Sequence, residues 1–315
     1  MASFVIGTRG SSLALCQTQI VQARLEERFP RHRFTLQAIT AQADRRPDVP
    51  LVALGGEGIF VKELETALQR GRIDLAVHSL KDLPLDLPPS LRIAAVLARD
   101  EPRDAFISRS GDGVDAVPAG SRVGTSSLRR RSQLLHRRRD LSLLEIRGNV
   151  DTRLRRLDEG QYDAIIVAAC GLIRLGLEAR ITELLDCSVM LPEPGQGAIA
   201  VEARADHAAA CELVNALEDP ISRACVEAER AFLRALGGGC RVPIAAYAQE
   251  DHGELALEGA VVAEDGAKKL TQALRGPMTE PITLGRRLAQ TLIAAGARDL
   301  LQQKVSGTFQ SGKGV

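Results

Sequence analysis

The chain has 315 residues, 45% of them hydrophobic, with 41 basic against 40 acidic side chains and a net charge of +1. That length supports two or three domains with cores of their own, and no apolar run approaches the ~18 residues that a membrane span needs. Aromatic residues make up 3%, with no tryptophan; a single-strand nucleic-acid groove, which needs aromatic platforms for stacking, is therefore disfavoured, and no nucleic-acid or membrane partner is expected.

The opening Met1-Ala2-Ser3-Phe4-Val5-Ile6-Gly7 has neither a basic leader nor a long apolar stretch, so it reads as a strand and not as a secretory signal. A cytoplasmic location is the expectation. The cysteines stand at 16, 170, 187, 211, 225 and 240 with no CxxC pair, so reduced thiols and no metal site are expected.

In chain order, Phe4-Val5-Ile6 predicts a strand and Thr8-Arg9-Gly10-Ser11-Ser12 the start of a helix reaching about Phe29. Ser11 or Ser12 can cap it, and Leu13, Cys16, Ile20 and Ala23 share one of its faces. Residues 33–39 read as a strand. Asp44 to Gly58 is a long Pro/Gly-rich loop, and loops of this length tend to be functional or disordered. A helix from Phe60 to Gln69 precedes a strand, Ile73 to Val77, which delivers His78-Ser79-Leu80-Lys81-Asp82. Pro84, Pro88 and Pro89 then force a loop.

A second unit begins near Asp104. Ser121 to Gly124 leads into Thr125-Ser126-Ser127 and a helix, Leu141 to Ile146 into Arg147-Gly148-Asn149. The apolar run Asp163 to Ala169 suits a strand buried on both faces. After Leu191 to Gly197, a strand at Ala198 to Ala203 can return to the first sheet. A helix from Ile221 to Leu236, with Ile221, Cys225, Ala228, Phe232 and Ala235 on one face, opens the last segment. No internal repeat is evident. The alternation predicts an α/β fold with open, mostly parallel sheets covered on both faces.

Ligands of such sheets bind beyond the carboxyl ends of the strands. Four clusters lie there: Thr8 to Ser12, His78 to Asp82, Thr125 to Arg130, and Arg147-Gly148-Asn149. Each joins hydroxyls or helix-start N–H groups, which favour anions, to a cation that can grip a carboxylate. Together they describe a cleft for a polyanionic ligand. Residues 121–156 hold eleven arginines and three acids. Arg137-Arg138-Arg139 suits a solvated face, whereas Arg129, Arg130, Arg147 and Arg153 lie where a ligand would be. Asp82 can stabilise a developing positive charge or shuttle a proton; on position alone it is also a plain turn residue. His78 reads as a satisfied strand-end histidine. Cys16, Cys170, Cys211 and Cys225 suit core positions. Cys240, after Gly237-Gly238-Gly239 and before Arg241, combines backbone freedom with a neighbour that favours the thiolate. It can be a nucleophile or a covalent anchor.

Taken together the clusters resemble the porphobilinogen deaminase (hydroxymethylbilane synthase) family from Val5 to about Asp299. The matching blocks are Gly7 to Ser11, Phe60 to Leu64, Ala76 to Pro84, Pro102 to Phe106, Val123 to Arg130, Arg147 to Val150, Pro194 to Ala198, Glu229 to Phe232 and Gly238 to Pro243. The resemblance implies two doubly wound mixed-sheet domains of periplasmic-binding-protein-like architecture and a smaller α+β domain. Their expected bounds are 1–100 with 197–217, 101–196, and 218–315. It implies a transferase of tetrapyrrole (heme) biosynthesis that joins four porphobilinogen molecules head to tail with loss of ammonia, and a monomer. It further implies a dipyrromethane cofactor in thioether linkage to Cys240, with Asp82 as catalytic carboxylate. Lys81, Asp104, Ser127, Arg129, Arg130 and Gly148 would bind the cofactor, and Arg9, Ser11, Thr125, Arg147, Arg153 and Gln196 the substrate. Two departures stand out. Glu57 replaces a lysine frequent in the family, and Ala41-Gln42-Ala43-Asp44 replaces Thr-Arg-Gly-Asp, which puts contacts of that loop in doubt. The rival reading, an anion receptor of the periplasmic type, would need an export signal and no catalytic carboxylate.

Overall fold

A computed structural model describes residues 1–39, 61–238 and 242–302. The expected loop 44–58 lies outside the described residues. The chain divides into two compact units, Met1–Asp100 with Gly197–Arg223, and Glu101–Gln196 with Ala224–Val315.

The first unit holds β1 (Ser3–Thr8), α1 (Ser12–Arg28), β2 (Arg33–Ala38), α2 (Lys62–Gln69), β3 (Leu75–Ser79), β4 (Leu91–Val96), β10 (Ile199–Arg204) and α6 (Ala208–Asn215). Its sheet runs β2-β1-β3-β10-β4. The first three strands are parallel, and β10 is antiparallel to both neighbours. The expected return strand therefore does join the first sheet, and the sheet is mixed, as the resemblance implies, with β10 alone running against the other four strands. One face packs on α1 and α6 through Val21, Leu25, Leu213 and Val214. The other packs on α2 through Leu64, Ala67 and Leu68. In α1 the buried residues are Gln17, Thr18, Val21 and Leu25, not the expected Leu13-Cys16-Ile20-Ala23 face. Two polar residues occupy that face because each finds a partner: Thr18 Oγ1 donates to Ala14 O at 2.8 Å, and Gln17 bonds Ser79.

The second unit begins with β5 (Asp104–Ser108), β6 (Arg122–Gly124), α3 (Leu128–Arg137), β7 (Ser142–Leu144), α4 (Val150–Asp158), β8 (Ala164–Ala168), α5 (Ala169–Arg174) and β9 (Glu183–Leu184). Its sheet order is β7-β6-β8-β5-β9, with β5 antiparallel to β8 and β9. A third, antiparallel sheet in this unit, β11 (Ile244–Asp251), β12 (Glu254–Val262) and β13 (Lys269–Pro277), packs on α7 (Pro220–Ala235), α8 (Pro281–Ala294) and α9 (Ala297–Gln302). Cys225, Ala228 and Phe232 of α7 are buried there, while Ile221 is 49% exposed because it lies in the first turn, ahead of that core.

The two five-stranded sheets repeat one plan that the sequence conceals. A parallel trio lies beside one antiparallel strand and a last edge strand in both. The repeat reaches single residues. The N–H of Val5 on β1 donates to Asp74 Oδ2 at 2.8 Å, and that of Arg122 on β6 to Asp163 Oδ2 at 2.8 Å. Each aspartate N–H returns a bond to the carbonyl of the same partner at 2.9 Å. Two residues on, Gly7 and Gly124 sit in matching register. A Cβ on Gly7 would strike Ile73, and one on Gly124 would lie 3.0 Å from Tyr162. Ile73 and Tyr162 each precede the aspartate, so a bulky residue and a glycine interlock in both halves.

Candidate active site

In the first unit, β1 ends at Thr8, which is fully buried and donates through Oγ1 to Ala14 O at 3.1 Å. Ser11, not Ser12, caps α1, accepting from Ala14 N–H at 3.3 Å. Arg9 lies between them, half-buried. β3 ends at Ser79, whose hydroxyl and Gln17 exchange hydrogen bonds at 2.9 and 3.2 Å. A 3-10 turn, Leu80–Asp82, follows. The pattern Leu-Lys-Asp-Leu explains its orientation: Leu80 and Leu83 are buried, and the two half-buried charged residues between them, Lys81 and Asp82, turn away from that core. Leu80 N–H donates to Ala198 O at 3.0 Å, and Leu83 N–H closes the turn onto Leu80 O at 3.1 Å. His78 is satisfied, as expected, by Glu202 at 3.1 Å.

In the second unit, Asp104 opens β5 with no exposed surface. It accepts from Arg129 Nη1 at 2.7 Å, from Arg130 Nε at 3.0 Å and Nη2 at 2.7 Å, and from Gln196 Nε2 at 2.9 Å. Burial by itself would raise its pKa, but the two guanidinium groups outweigh burial and hold the carboxyl far below the usual carboxylate range. Both arginines issue from the first turn of α3, which Ser127 caps by accepting from Arg130 N–H at 3.4 Å. Thr125, at the end of β6, is buried and accepts from Ser127 N–H at 3.3 Å. Arg129 also donates to Leu191 O at 2.8 Å, yet its Nε and Nη2 are buried without a hydrogen-bond partner. Orphaned donors on a charged group cost free energy unless something accepts from them, so this edge suits an anion.

At the end of β7, Arg147 is half-buried and bonded to Glu145 at 2.6 Å. Gly148 adopts φ 105°, and Arg153 donates to its carbonyl at 2.8 Å. Arg137 pairs with Asp115 on the surface, in keeping with a solvated face, whereas Arg138 is only 16% exposed and donates to Asp140 and to the carbonyls of Val114, Asp115 and Val117.

The structure thus brings Arg9, Ser11, Lys81 and Asp82 to the strand ends of one sheet. It brings Thr125, Ser127, Arg129, Arg130, Arg147, Gly148 and Arg153 to the strand ends of the other, with Asp104 and Gln196 beneath the arginine pair. Cys240 lies outside the described residues. None of the five described cysteines forms a disulfide with another. Burial, then Asp186 and Glu258, pushes the Cys187 pKa up to about 11, which disfavours its thiolate at neutral pH. Sequence reasoning missed Glu202. The available signal was a lone acid in the apolar run Ile199-Ala200-Val201-Glu202-Ala203.

Comparison with known proteins gives a consistent picture. Residues 4–212 match a family model described as the porphobilinogen deaminase dipyrromethane cofactor binding domain, and residues 223–294 match the C-terminal domain of the same family. Porphobilinogen deaminase from Methylobacillus flagellatus is 48% identical over 95% of this chain and 96% of its own length. That from Roseiflexus castenholzii is 50% identical over 95% and 98%. A solved substrate-binding domain of a molybdenum ABC transporter from Clostridium difficile covers 70% of this chain and 93% of its own at 10% identity and TM-score 0.43. No described helix is long and apolar enough to cross a membrane. The chain belongs to the porphobilinogen deaminase family, transferases that polymerise porphobilinogen into hydroxymethylbilane in tetrapyrrole biosynthesis.

Proposed function

We propose that this chain condenses four porphobilinogen molecules head to tail, releasing ammonia at each step, and that it does so as a cytoplasmic monomer without nucleic-acid or membrane partners. We assign it three domains, 1–100 with 197–217, 101–196, and 218–315. The observation that carries the reading is the buried Asp104–Arg129–Arg130 array, with two Arg129 donors left without a partner. It fits the acetate and propionate groups of a dipyrromethane, which when bound supplies the acceptor pyrrole for the first condensation.

The chain's own residues then divide the work. Asp104 and Gln196, both fully buried, aim the arginines. Ser127, Thr125 and the α3 N-terminus offer N–H and O–H donors to carboxylates. Gly148 lets the backbone after β7 turn, and Arg147 and Arg153 receive substrate carboxylates there. Lys81, Arg9 and Ser11 add binding groups at the strand ends of the first sheet. Asp82 stabilises the cationic pyrrole that forms on the incoming substrate when its C–N bond breaks and ammonia leaves. The same carboxylate accepts the proton lost as the new C–C bond forms and the ring regains aromaticity. Cys240 acts as a permanent tether and not as a nucleophile that turns over.

Intact-protein mass spectrometry and a porphobilinogen assay test the reading together. The expected result is a dipyrromethane-sized mass addition lost in Cys240→Ser, with ammonia and hydroxymethylbilane as products. A folded, unmodified protein that leaves porphobilinogen unconsumed overturns it.

A further inference from the structure

Within the second unit, a buried carboxylate with no part in the steps above holds the segment that carries Gln196. Glu229 lies on α7 with no exposed surface. Its Oε2 accepts from Gly195 N–H at 2.7 Å, and its Oε1 from Ala248 N–H at 2.8 Å. Ala248 belongs to β11, an edge strand of the third sheet. Strand alternation turns the N–H groups of Ala246 and Ala248 to the same side. Ala246 N–H donates to Pro192 O at 3.1 Å, so residue 192 starts to pair along this edge as another strand would. Pro192 and Pro194 have no N–H, and that pairing stops. Gly195 then turns with φ 79°. Its N–H and that of Ala248 are both donors and cannot satisfy each other. An ionised carboxylate, which accepts at both oxygens, joins them.

Both ends of this segment reach the arginine pair. At its start, Leu191 N–H donates to Gln133 Oε1 at 2.9 Å, and Leu191 O accepts from Arg129 Nη1 at 2.8 Å and Gln133 Nε2 at 3.0 Å. At its end, Gln196 Nε2 donates to Pro102 O at 2.7 Å and to Asp104 Oδ1 at 2.9 Å, while Gln196 Oε1 accepts from Arg130 Nη2 at 3.4 Å. A turn bond from Gln196 N–H to Glu193 O at 2.9 Å sets the local shape. Where that turn sits depends on what holds Gly195, because a glycine leaves the backbone free to pivot. The hold is a pair of bonds to a charged acceptor, the stronger kind.

We propose that Glu229 is a positioning residue for carboxylate binding: it clamps Gly195 to the edge of the third sheet and so fixes Gln196 against Asp104 and Arg130. The functional half rests on the reading of the Asp104–Arg129–Arg130 array as the surface that receives ligand carboxylates. Glu229 acts through Gln196 and not on a ligand itself. A carboxylate is well suited to the place, since a buried charge is tolerated only where its oxygens are hydrogen-bonded, and here each oxygen meets a backbone donor. A glutamine at 229 keeps the shape but turns an N–H donor towards one of the two backbone donors. One of those bonds is then lost, and Gln196 with its amide drifts from the array. If Glu229 served only to join α7 to the third sheet, its loss would lower stability and leave substrate affinity alone.

The cofactor-loaded enzyme and its Glu229→Gln variant test this. Amide hydrogen exchange read by NMR is expected to show Gly195 or Ala248 exchanging at least about 10-fold faster in the variant. Unchanged protection of both amides overturns the clamp, whatever the array binds. The KM for porphobilinogen is expected to rise by roughly 10-fold through misplacement, with kcat nearly unchanged, the mark of a lost binding contact. Phe232→Leu, which thins the core contact of the same helix, is expected to lower the urea midpoint without moving KM. A Glu229→Gln enzyme of parental KM overturns the positioning role. In a double-mutant cycle, Glu229→Gln added to Gln196→Ala is expected to raise KM little further, because both act on one contact. Effects that multiply overturn the route through Gln196. Glu229→Asp, with both acceptors on a shorter arm, gives the same readings if the glutamine variant does not fold. An Asp104→Asn enzyme of parental KM and cofactor loading removes the ligand reading of the array and leaves the exchange result standing, so the two failures are distinguishable.

Discussion

Asp104 shows how one buried carboxylate can organise a binding surface. It neutralises two arginines that would otherwise be buried charges, and it leaves Nε and Nη2 of Arg129 buried without a partner. Asp104→Asn keeps the shape but strands both guanidinium groups, and breaking a buried pair in this way costs about 3–5 kcal/mol; urea unfolding is expected to report that loss. The sign of the pH dependence follows from the depressed folded-state pKa. The contribution of Asp104 is present above its unfolded value and is lost as pH falls below the ordinary carboxylate range. Wild type and Asp104→Asn should therefore converge in stability in strong acid. Asp82 sits at the other extreme, half-buried in a turn held by its leucine neighbours. Asp82→Ala is expected to keep the melting temperature and the cofactor mass while losing nearly all turnover. Turnover near wild type in that variant would remove Asp82 from the mechanism.

At the scale of elements, the arginine pair depends on the start of α3. The cap residue Ser127 sets where the helix begins and thereby where Arg129 and Arg130 point. Ser127→Ala is expected to cost about 1 kcal/mol of stability and to weaken substrate binding through the displaced arginines, read as a raised KM. In the first sheet, Gly7 makes room for Ile73 and Leu64. Gly7→Ala overpacks that contact at a cost of about 1–3 kcal/mol, measurable as a lower urea midpoint with the m-value retained. The strand ends were legible as clusters of hydroxyls and cations because strand alternation and helix caps leave short-range signatures. The buried face of α1 was not. Gln17 and Thr18 occupy it, and only the positions of Ser79 and the Ala14 carbonyl show why polar side chains are satisfied there.

At the scale of the whole molecule, two five-stranded sheets follow one plan with almost no shared sequence. What persists is sparse: a glycine in β1 and β6, a bulky residue and an aspartate before β3 and β8. Strand order and backbone pairing define the plan, and backbone bonds place little demand on side-chain identity, which is why no repeat is visible in the sequence; the carboxylates of Asp74 and Asp163, which accept from backbone N–H groups, are among the few side chains that recur. The third sheet packs in the second unit around Phe232, Leu288 and Leu292. Cys240→Ser is expected to lose the covalent mass addition and to melt at lower temperature than the loaded parent, because a cofactor bound only to the folded state stabilises it. Superimposable melts of the two proteins would argue that the cofactor contributes nothing to stability.

The sequence by itself determined the alternating α/β pattern, the return of β10 to the first sheet, the strand-end clusters, and the chemistry that their cations and hydroxyls suit. These are local properties, set by periodicity, caps and turn residues within a few positions of one another. Only the tertiary structure decided which strand of the first sheet runs against the others, that Asp104 lies beneath Arg129 and Arg130, that Gln196 reaches it across 92 positions, and that Glu202 meets His78 across 124. Such partnerships arise from strand order and burial, where the cost of an unpaired charge selects a partner by distance in space and not along the chain.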